Sequence, residues 1–392
     1  MMFFKILLIF YVIIGFFWWL LQLLLILRII SKVPLLEKLP KKNLENLPKI
    51  SVIIPACNEA DTIEPAIETR LQDDYPNLEI ILIDDRSTDG TTAIIDRIAA
   101  KDNRVKAIHI KELPFGWLGK QYAMNQGVKL ATGDWFLFSD ADVKIKPGTL
   151  KLVMGYCEVK KIDHLAIFPE MPPTNFLLDT LLSVFIRFLC VGGRIWAVEN
   201  EKSNAAVGSG SFNLVRRIAF EKTKGFEWLR LETIDGVGLG KMLKESGARS
   251  SIINGRKYIS VYLYRTLKGM AIGSERPVFA GIGNFSLIWL TLTGMINFGF
   301  EMSPFFALIP IRIPWLTFLG MIMVVMALVT SILIGRWMNR PLLPSIFYPI
   351  GTTILVIFMV RAGILGAKRG GVFWRGTFYP TKILKEGKRY NL

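Results

Sequence analysis

The sequence predicts an α/β domain with a mainly parallel β-sheet, flanked by N-terminal and C-terminal transmembrane helices. Three observations support this fold class. Short apolar segments alternate with helical segments from residue 50 onward, long uncharged runs lie outside that region, and the excess positive charge lies beside those runs. Such alternation is typical of a parallel sheet that is covered by helices on both faces.

The first element is an apolar run over residues 6–27, which carries no formal charge. Its 22 residues are enough to cross a bilayer core, because a helix needs about 20 residues to do so. The run is longer than the apolar part of a cleaved signal peptide, which has about 7 to 15 residues, and no small-residue cleavage site follows it. We therefore predict a transmembrane helix within residues 1–30.

Three more uncharged runs lie near the C-terminal end, at residues 279–300, 314–335 and 342–360. They predict an interfacial segment and about three membrane segments over residues 261–366, followed by a basic tail over residues 367–392. Three crossings would leave the tail outside, although its charge favours the inside. Either one run is re-entrant or interfacial, or the tail is external. The second of these runs, at 314–335, is the one we suspect, because Glu301, Arg312 and prolines 304, 310 and 314 lie just before it or at its start.

The net charge of +16 invites a nucleic-acid-binding interpretation, but the distribution of the charge argues against it. Residues 50–260 contain 27 basic and 27 acidic side chains, whereas residues 28–49 and 361–392 supply eleven of the sixteen excess charges. Basic residues directly after a first span favour the cytoplasmic side. We predict a multi-pass protein of the cell membrane with a basic linker over residues 31–49, a cytoplasmic domain over residues 50–260 and no nucleic-acid partner.

The predicted domain contains strand-like segments at residues 50–55, 78–83, 105–110 and 135–138, and helical segments at residues 61–71, 90–100 and 118–131. Ligands of such sheets bind at the carboxyl ends of the strands. Polar clusters lie at three of these ends. They contain Pro55, Ala56, Asn58 and Glu59 after the first strand, Asp84 and Asp85 after the second, and Asp140 and Asp142 after the fourth.

Two of these clusters favour a specific chemistry. Asp84 and Asp85 repel each other unless donors or positive charge lie nearby, and a nucleobase imide with ribose hydroxyls would serve. The alternative is that the residues from Asp85 to Gly90 form an ordinary turn and helix cap. Asp140 and Asp142 offer the oxygen ligands that Mg²⁺ or Mn²⁺ prefers, often together with substrate phosphates.

Three segments, taken in order, resemble an inverting family 2 glycosyltransferase of the GT-A fold: 51–59 (SVIIPACNE), 82–91 (LIDDRSTDGT) and 139–142 (SDAD). The resemblance extends over roughly residues 49–247. It implies a nucleotide-diphospho-sugar donor, which we expect to carry UDP, at the three strand-end clusters. It implies that Asp85, and Asp84 with it, lies near the base, Asp140 near the ribose or the metal, and Asp142 on the divalent cation.

Lys120 ends the segment 116–120 (GWLGK), a glycine-bounded turn at the start of a predicted helix. A lysine and a helix N-terminus together favour an anion, here the pyrophosphate, and the alternative is a solvated surface lysine. This segment and the tail segment 369–379 (RGGVFWRGTFY) resemble a membrane-bound subgroup of the family. That subgroup includes hopanoid-associated and diaponeurosporenoate (carotenoid) glycosyltransferases.

The resemblance also indicates the acceptor side. An inverting transfer needs a general base within hydrogen-bond reach of the acceptor hydroxyl. The segment 233–240 (TIDGVGLG) matches the position of the family's base and implies Asp235, with Glu232 as a substitute or helper because the usual neighbouring carboxylates are absent. Gly208 and Ser209 fall where the family has a loop that lines the sugar and acceptor pocket, although an ordinary glycine-rich turn is an equal alternative.

Together these features predict a metal-dependent enzyme that transfers one sugar to a lipid acceptor with inversion. The Gln-x-x-Arg-Trp motif of processive synthases is absent, which favours transfer of a single sugar. Residues 176–191 combine a narrow polar stripe with a broad apolar face, which predicts either an interfacial helix that guides the lipid or a buried core helix. Two alternatives remain: a polyprenyl-phosphate glycosyltransferase that makes a lipid-linked sugar donor, and a non-catalytic membrane scaffold that retains the fold.

Overall fold

The computed structural model describes residues 2–40, 42, 44–309 and 313–390, and the chain divides into two compact units. We call them the sheet unit (Val33–Pro172, Ala197–Leu263 and Phe373–Leu392) and the helical unit (Met1–Lys32, Pro173–Trp196 and Tyr264–Val372). Two segments differ from the predicted division. Pro173–Trp196 belongs to the helical unit although it lies inside the predicted domain, and most of the basic tail belongs to the sheet unit.

The described residues form eleven strands, in chain order β1 (Ile50–Ala56), β2 (Leu78–Asp85), β3 (Val105–Ile110), β4 (Trp135–Phe138), β5 (Lys144–Ile145), β6 (His164–Phe168), β7 (Asn213–Arg216), β8 (Ser250–Asn254), β9 (Ile259–Ser260), β10 (Gly371–Trp374) and β11 (Thr377–Pro380). Seven of them form one sheet in the order β3-β2-β1-β4-β7-β6-β8. In this sheet β7 alone runs antiparallel to its neighbours. The pairs β5-β9 and β10-β11 form two small sheets.

The α-helices of the described residues are α1 (Met2–Lys32), α2 (Ile63–Leu71), α3 (Thr91–Lys101), α4 (Gly119–Leu130), α5 (Thr149–Lys160), α6 (Phe176–Gly192), α7 (Arg217–Glu221), α8 (Gly225–Trp228), α9 (Asp235–Glu245), α10 (Leu267–Gly273), α11 (Leu287–Ala307), α12 (Pro314–Trp337), α13 (Leu342–Ile346), α14 (Tyr348–Arg369) and α15 (Thr381–Gly387). Leu36–Lys38 and Ile195–Ala197 form short 3₁₀ turns, and Pro277–Ile282 forms a π-helix. The predicted strands and helices of the domain agree with the observed elements to within a few residues.

The core of the sheet unit lies on both faces of the large sheet, because successive side chains of a strand point to opposite faces. On β1, Val52 and Ile54 pack into the cluster that receives α2, α3 and α5. Ile53 packs on the other face, with side chains of α4 and α9. Full burial of one such side chain contributes about 1.5 to 3 kcal/mol to stability. The predicted α/β fold with a mainly parallel sheet and helices on both faces is confirmed.

In the described residues, four helical segments are long and apolar enough to cross a membrane: Lys5–Lys32, Phe176–Ala197, Pro314–Trp337 and Tyr348–Arg369. Apolar helices at both ends of the chain were predicted. The predicted membrane segment at 279–300 differs from this prediction. It forms most of a π-helix and the first part of α11, and α11 is not one of the four candidate membrane helices. Glu301 and Pro304 lie within α11, beyond the end of that run.

The helix α6 carries its polar side chains inward. Asp179 and Arg187 are buried in the helical unit, where Asp179 pairs with Arg340 at 2.6 Å and Arg187 pairs with Glu301. The exposed side chains of this helix are apolar, among them Phe176, Leu177 and Leu189. A lipid environment favours helices that turn their polar side chains inward and their apolar side chains outward. The polar stripe predicted from the sequence is therefore a packing surface.

Candidate active site

The two carboxylates at the end of β2 have partners within the protein. Asp84 accepts hydrogen bonds from the backbone N–H of Ser87 at 3.1 Å and from the hydroxyl of Thr92 at 2.6 Å. Asp85 accepts two hydrogen bonds from the guanidinium of Arg86, at 2.8 and 3.2 Å. Burial would raise the pKa of Asp84, but its hydrogen bonds outweigh burial and lower the pKa. The repulsion that the sequence indicated is thus relieved by loop residues.

The loops after β1 and β2 are joined to each other by hydrogen bonds. The side chain of Asn58 accepts from the N–H of Thr88 at 2.8 Å, and the N–H of Asn58 donates to the hydroxyl of Ser87 at 3.0 Å. Asn58 and Arg86 both have a left-handed backbone, with φ of 56° and 58°, a conformation that asparagine tolerates and that is unfavourable for arginine. The side chain of Asn58 therefore helps to shape the two loops.

Lys120 lies in the first turn of α4, between two of the candidate carboxylates. Its Nζ is 2.6 Å from Oδ1 of Asp140 and 2.8 Å from Oδ2 of Asp235, which is the first residue of α9. Burial would lower the pKa of Lys120, but the two carboxylates outweigh burial and raise it. One cation therefore holds together a carboxylate that we predicted for the donor side and one that we predicted for the acceptor side.

Asp142 lies in a more negative environment. Burial, together with the charges of Asp140 and Glu59, raises its pKa to about 7, and Arg70 offsets this only in part. Arg70 donates to the hydroxyl of Ser139 at 2.8 Å and to the carbonyl of Asp140 at 2.9 Å. Arg70 thus fixes the backbone that carries both candidate metal ligands.

Sequence reasoning missed Arg70, although its position carries a signal. On α2, Ile63, Ile67 and Arg70 recur at helical spacing and all three are buried. A charged residue on the buried stripe of an amphipathic helix needs a polar partner in the interior. Here the partners are the turn after β4 and the negative charges of Asp140 and Asp142. Burial lowers the pKa of Arg70 to about 10, and the two negative charges oppose this shift.

A small recess lies beside Asp235, and its lining includes Pro55, Lys120, Ser139, Ser209, Gly210 and Asp235. A Cβ at Gly208 would lie 1.8 Å from the carbonyl oxygen of Gly236, so a glycine is needed where this loop meets the start of α9. The N–H of Asp140 donates to the carbonyl of Gly210 at 2.9 Å.

Ala56 is the buried last residue of β1, next to Asp84 in register. A wider recess elsewhere is lined by Asn125, Arg217, Phe220 and Lys224.

Glu232, the suggested helper of Asp235, is buried and supports the loop before α9. Its carboxylate accepts hydrogen bonds from the backbone N–H groups of Arg389 at 3.0 Å, Tyr390 at 3.2 Å and Ile234 at 3.4 Å. The lining of the recess includes Asp235 and not Glu232. The structure therefore gives Glu232 a supporting contact with the C-terminal residues, which the sequence did not indicate.

Within the described part of the chain, no group of three or more His, Cys, Asp or Glu side chains is arranged to hold a metal ion. Asp140 and Asp142 supply two carboxylates, and Lys120 contacts the first of them. Mg²⁺ commonly completes its coordination with water and substrate phosphates rather than with protein groups alone. The negative environment of Asp142 therefore fits a divalent cation that binds together with an anionic ligand.

Comparisons with known proteins establish the family. A family model described as Glycosyl transferase family 2 matches residues 51–223. The chain is also 32% identical over 218 residues to a GalNAc(5)-diNAcBac-PP-undecaprenol beta-1,3-glucosyltransferase of Campylobacter jejuni, a match that spans 50% of this chain and 68% of that relative. The chain belongs to glycosyltransferase family 2. The family membership that the motifs indicated is confirmed.

Other relatives match this family 2 chain over different lengths. A 4,4'-diaponeurosporenoate glycosyltransferase of Staphylococcus haemolyticus is 24% identical over 265 residues, which are 66% of this chain and 69% of that relative. An uncharacterized glycosyltransferase of Haemophilus influenzae is 36% identical over 122 residues, or 31% of this chain. The chain spans only 36% of the length of that relative and of a second bacterial glycosyltransferase.

A solved structure supports the fold of this family 2 member. The mannosyltransferase PcManGT from Pyrobaculum calidifontis, in complex with GDP-Man and Mn²⁺, aligns with a TM-score of 0.54. The alignment covers 92% of this chain and 99% of that chain at 16% sequence identity. At this identity the likeness concerns the fold alone, and it confirms the predicted GT-A fold.

Proposed function

We propose that this family 2 member is a membrane-anchored glycosyltransferase that transfers a single sugar from a nucleotide-diphospho-sugar to a lipid acceptor with inversion. We expect the donor to be a UDP-sugar. The names of two relatives support an apolar acceptor, since one contains undecaprenol and the other diaponeurosporenoate.

The observation that carries this proposal is the position of Lys120 between Asp140 and Asp235. Because one nitrogen lies 2.6 Å from the first carboxylate and 2.8 Å from the second, the two oxygens cannot be farther apart than the sum of these distances. An inverting transfer needs the leaving phosphate and the general base close to the same anomeric carbon, on opposite sides of it. Asp140 and Asp235 lie near enough to each other to serve one such carbon.

In this proposal Asp235 is the general base. It accepts the proton of the acceptor hydroxyl while that oxygen bonds to the anomeric carbon, and the bond from this carbon to the nucleotide diphosphate breaks. Lys120 first has to release Asp235, and the pyrophosphate of the donor provides the anion that its ammonium group then contacts.

The remaining candidates bind the donor in this proposal. Asp142, with Asp140, would hold Mg²⁺ or Mn²⁺, which as a Lewis acid stabilises the charge of the leaving group. Asp84 and Asp85 lie at the base end of the donor, together with the loop that contains Pro55, Ala56, Asn58 and Glu59. Gly208 and Ser209 border the sugar. Arg70 holds the backbone of the metal-binding turn.

The membrane arrangement in this proposal is multi-pass, with the sheet unit in the cytoplasm. Both ends of the α6 segment lead into the sheet unit, at Pro172 and Ala197. A helix that leaves and returns on one side of a membrane does not cross it, so we place α6 at the interface despite its length. The sheet unit also contains Phe373–Leu392, so the chain between Leu263 and Phe373 crosses an even number of times. The basic tail is then cytoplasmic, as its charge favours.

The test is transfer by the purified full-length chain in detergent, with UDP- and GDP-sugars, a membrane lipid extract, and Mg²⁺ or Mn²⁺. Mass spectrometry should detect lipids that have gained one sugar, and Asp142→Ala and Asp235→Ala should lose this product. Full transfer by Asp142→Ala would contradict the site assignment. Full transfer by Asp235→Ala alone would indicate an acceptor that is already anionic, such as polyprenyl phosphate. Failure of the wild type to bind any of these nucleotide sugars would indicate a non-catalytic scaffold.

A further inference from the structure

The last part of the sheet unit contacts four loops or helix starts that carry or adjoin candidate site residues. We call residues 373–390 the C-terminal strap; it contains the turn between β10 and β11, all of β11, and α15. Its contacts reach the loop after β1, the loop after β2, the start of α4 and the loop before α9. The sequence indicated a basic tail here and assigned it no part in the site.

Arg375 contacts the loop after β1. Its Nη1 donates to the carbonyl of Cys57 at 2.9 Å, and its Nη2 donates to Oε1 of Glu59 at 2.5 Å. The side chain of Glu59 is 17% exposed and that of Arg375 is 44% exposed. The ion pair therefore lies at the solvent-accessible boundary of this loop, where a ligand can reach it.

The turn that contains Arg375 would form more easily with another residue. Arg375 and Gly376 are the two residues between β10 and β11, and both have positive φ, 47° and 80°. Two positive φ values are characteristic of a type I′ turn, for which Asn-Gly and Gly-Gly are preferred. An arginine at the first position is unfavourable for the backbone. Its guanidinium contacts, rather than the turn, account for an arginine at this position.

The next residues of the strap contact the loop after β2 and the start of α4. Thr377 accepts a hydrogen bond from Nη1 of Arg86 at 3.4 Å, and the hydroxyl of Tyr379 is hydrogen-bonded to the backbone of Gly119. A Cβ at Gly119 would lie 2.1 Å from Oδ2 of Asp85, so these groups are closely packed. Thr377 and Tyr379 are two positions apart on β11 and point to the same side of the strand. This side of the strap supports the arginine that pairs with Asp85.

The far end of the strap is anchored beside the candidate base. The backbone N–H groups of Arg389 and Tyr390 donate to Glu232, three residues before Asp235. The guanidinium of Arg389 lies 4.3 Å from the ring centre of Trp228. The strap thus spans from the loop after β1 to the loop before α9, and it is fixed at both ends.

We propose that Arg375 is a positioning residue of the donor site. It holds Glu59 and the carbonyl of Cys57 so that the loop after β1 can receive the nucleoside end of a nucleotide-diphospho-sugar, and the strap forms this wall of the site. The inference rests on the proposed function, because it assigns a role in binding the same donor.

The variant Arg375→Asn tests this inference, since asparagine suits the type I′ turn but lacks the guanidinium group. The full-length chain in detergent is titrated with UDP and with GDP in the presence of Mn²⁺. We expect nucleotide affinity to fall by about tenfold, as befits the loss of charged hydrogen bonds, and the KM for the donor to rise by a similar factor. The thermal midpoint should stay the same or rise, and backbone hydrogen exchange of residues 57–62 should become faster. Arg375→Lys, which keeps the charge, should lie between wild type and Arg375→Asn.

The matched control is Lys382→Ala, which removes an exposed positive charge from the same strap and should bind nucleotide as the wild type does. If Arg375→Asn binds UDP and GDP as tightly as the wild type, the inference is overturned while the proposed function stands. Equal weakening by Lys382→Ala would make the effect one of net charge and would also overturn it. If the wild type binds neither nucleotide, the proposed function fails and this inference fails with it.

Discussion

The two units of the chain use partly or fully buried charges for different purposes. In the sheet unit, Lys120 faces two carboxylates, Asp140 and Asp235, whose side chains are 38% and 16% exposed. In the helical unit, Arg187 faces Glu301, and these side chains are 2% and 0% exposed. The first cluster has more negative than positive charge and can be reached by a ligand. The second is balanced and closed, so it is suited to hold helices together.

The surroundings of the two clusters support this distinction. Glu301 also accepts a hydrogen bond from Nε1 of Trp18 at 3.3 Å, and the guanidinium of Arg187 lies 5.1 Å from the ring centre of Trp19. These contacts join α1, α6 and α11. In the sheet unit, by contrast, two carboxylates share one ammonium group, and in the proposed function a phosphate oxygen replaces one of them. A closed pair contributes to the structure, whereas a shared cation can change partners.

The largest effect is expected from Asp235→Asn, which preserves the size of the side chain but removes the proton acceptor. We expect kcat to fall by about 10²- to 10⁴-fold, the range typical of a lost general base. The thermal midpoint should change little, because Lys120 keeps its contact with Asp140. Steady-state kinetics with thermal unfolding provides the measurement, and Glu221→Gln, at a carboxylate that is 55% exposed, is the control. If Asp235→Asn also reduced the amount of folded protein, the cluster around Lys120 would be structural like the Arg187–Glu301 pair. That result would contradict the distinction between the two clusters.

Glu301→Ala should have the opposite profile, with reduced stability and unchanged chemistry. The substitution leaves the guanidinium of Arg187 buried without its carboxylate, which typically costs about 3 to 5 kcal/mol. We expect a lower free energy of unfolding in detergent and the same kcat per folded molecule. The double variant Arg187→Met with Glu301→Ala should lose less stability than the single variant. Wild-type stability of Glu301→Ala would show that this pair has no structural role.

Lys120→Met should affect donor binding more than folding. Methionine retains the length of the side chain but not its charge, so the pyrophosphate loses an ionic contact of the kind that contributes about 1.5 to 3 kcal/mol. We expect the KM for the donor to rise at least about tenfold, with a smaller change in the thermal midpoint. Lys129→Met, at an exposed position in the last turn of the same helix, is the matched control. An unchanged KM in Lys120→Met would indicate that Lys120 only holds the two carboxylates.

The last effect concerns the pH dependence of stability and His164, a buried group of the sheet unit that has uncharged partners. It is hydrogen-bonded to Ser250 at 3.0 Å and to Asn213 at 2.6 Å, and burial lowers its pKa from 6.5 to about 4. The unfolded chain binds this proton more tightly, so the folded state loses stability as the pH falls from about 6.5 towards 4. The loss between pH 7 and pH 5 should be about 2 kcal/mol.

Thermal unfolding of wild type and His164→Gln at both pH values measures this contribution. Glutamine does not titrate in this range, so the variant should lose less stability than the wild type on acidification. An equal loss in both proteins would mean that other groups cause the acid sensitivity of the sheet unit.

Much of the fold could be predicted because its signals are local. The alternation of side chains on β1 and the helical spacing on α4 are visible within single segments, and the carboxyl ends of parallel strands lie at one edge of a sheet. This reasoning predicted that residues after β1, β2 and β4 would lie near one another. The position of Lys120 needed the resemblance to the family as well, and the roles of Asp142 and Asp235 stay predictions.

The features that sequence reasoning missed depend on contacts between distant segments. The stripe on α6 was visible, but whether Asp179 and Arg187 faced inward depended on the partners that α11 and the loop before α13 provide. Arg70 was recognisable only as a charge on a buried stripe. For the C-terminal strap no local pattern indicates its contacts, since those with Glu59 and Glu232 join segments far apart in the chain.

The strap also has a consequence for biosynthesis. Arg375 and Cys57 are 318 residues apart, and the chain from Tyr264 to Val372, with its predicted membrane segments, lies between them. At ordinary rates of translation the ribosome needs on the order of ten seconds to make that stretch. In the proposed function, the donor site would therefore acquire its last wall only after these predicted membrane segments have been synthesised. We expect nascent chains to be inactive until insertion is nearly finished, which ties the onset of activity to delivery at the membrane.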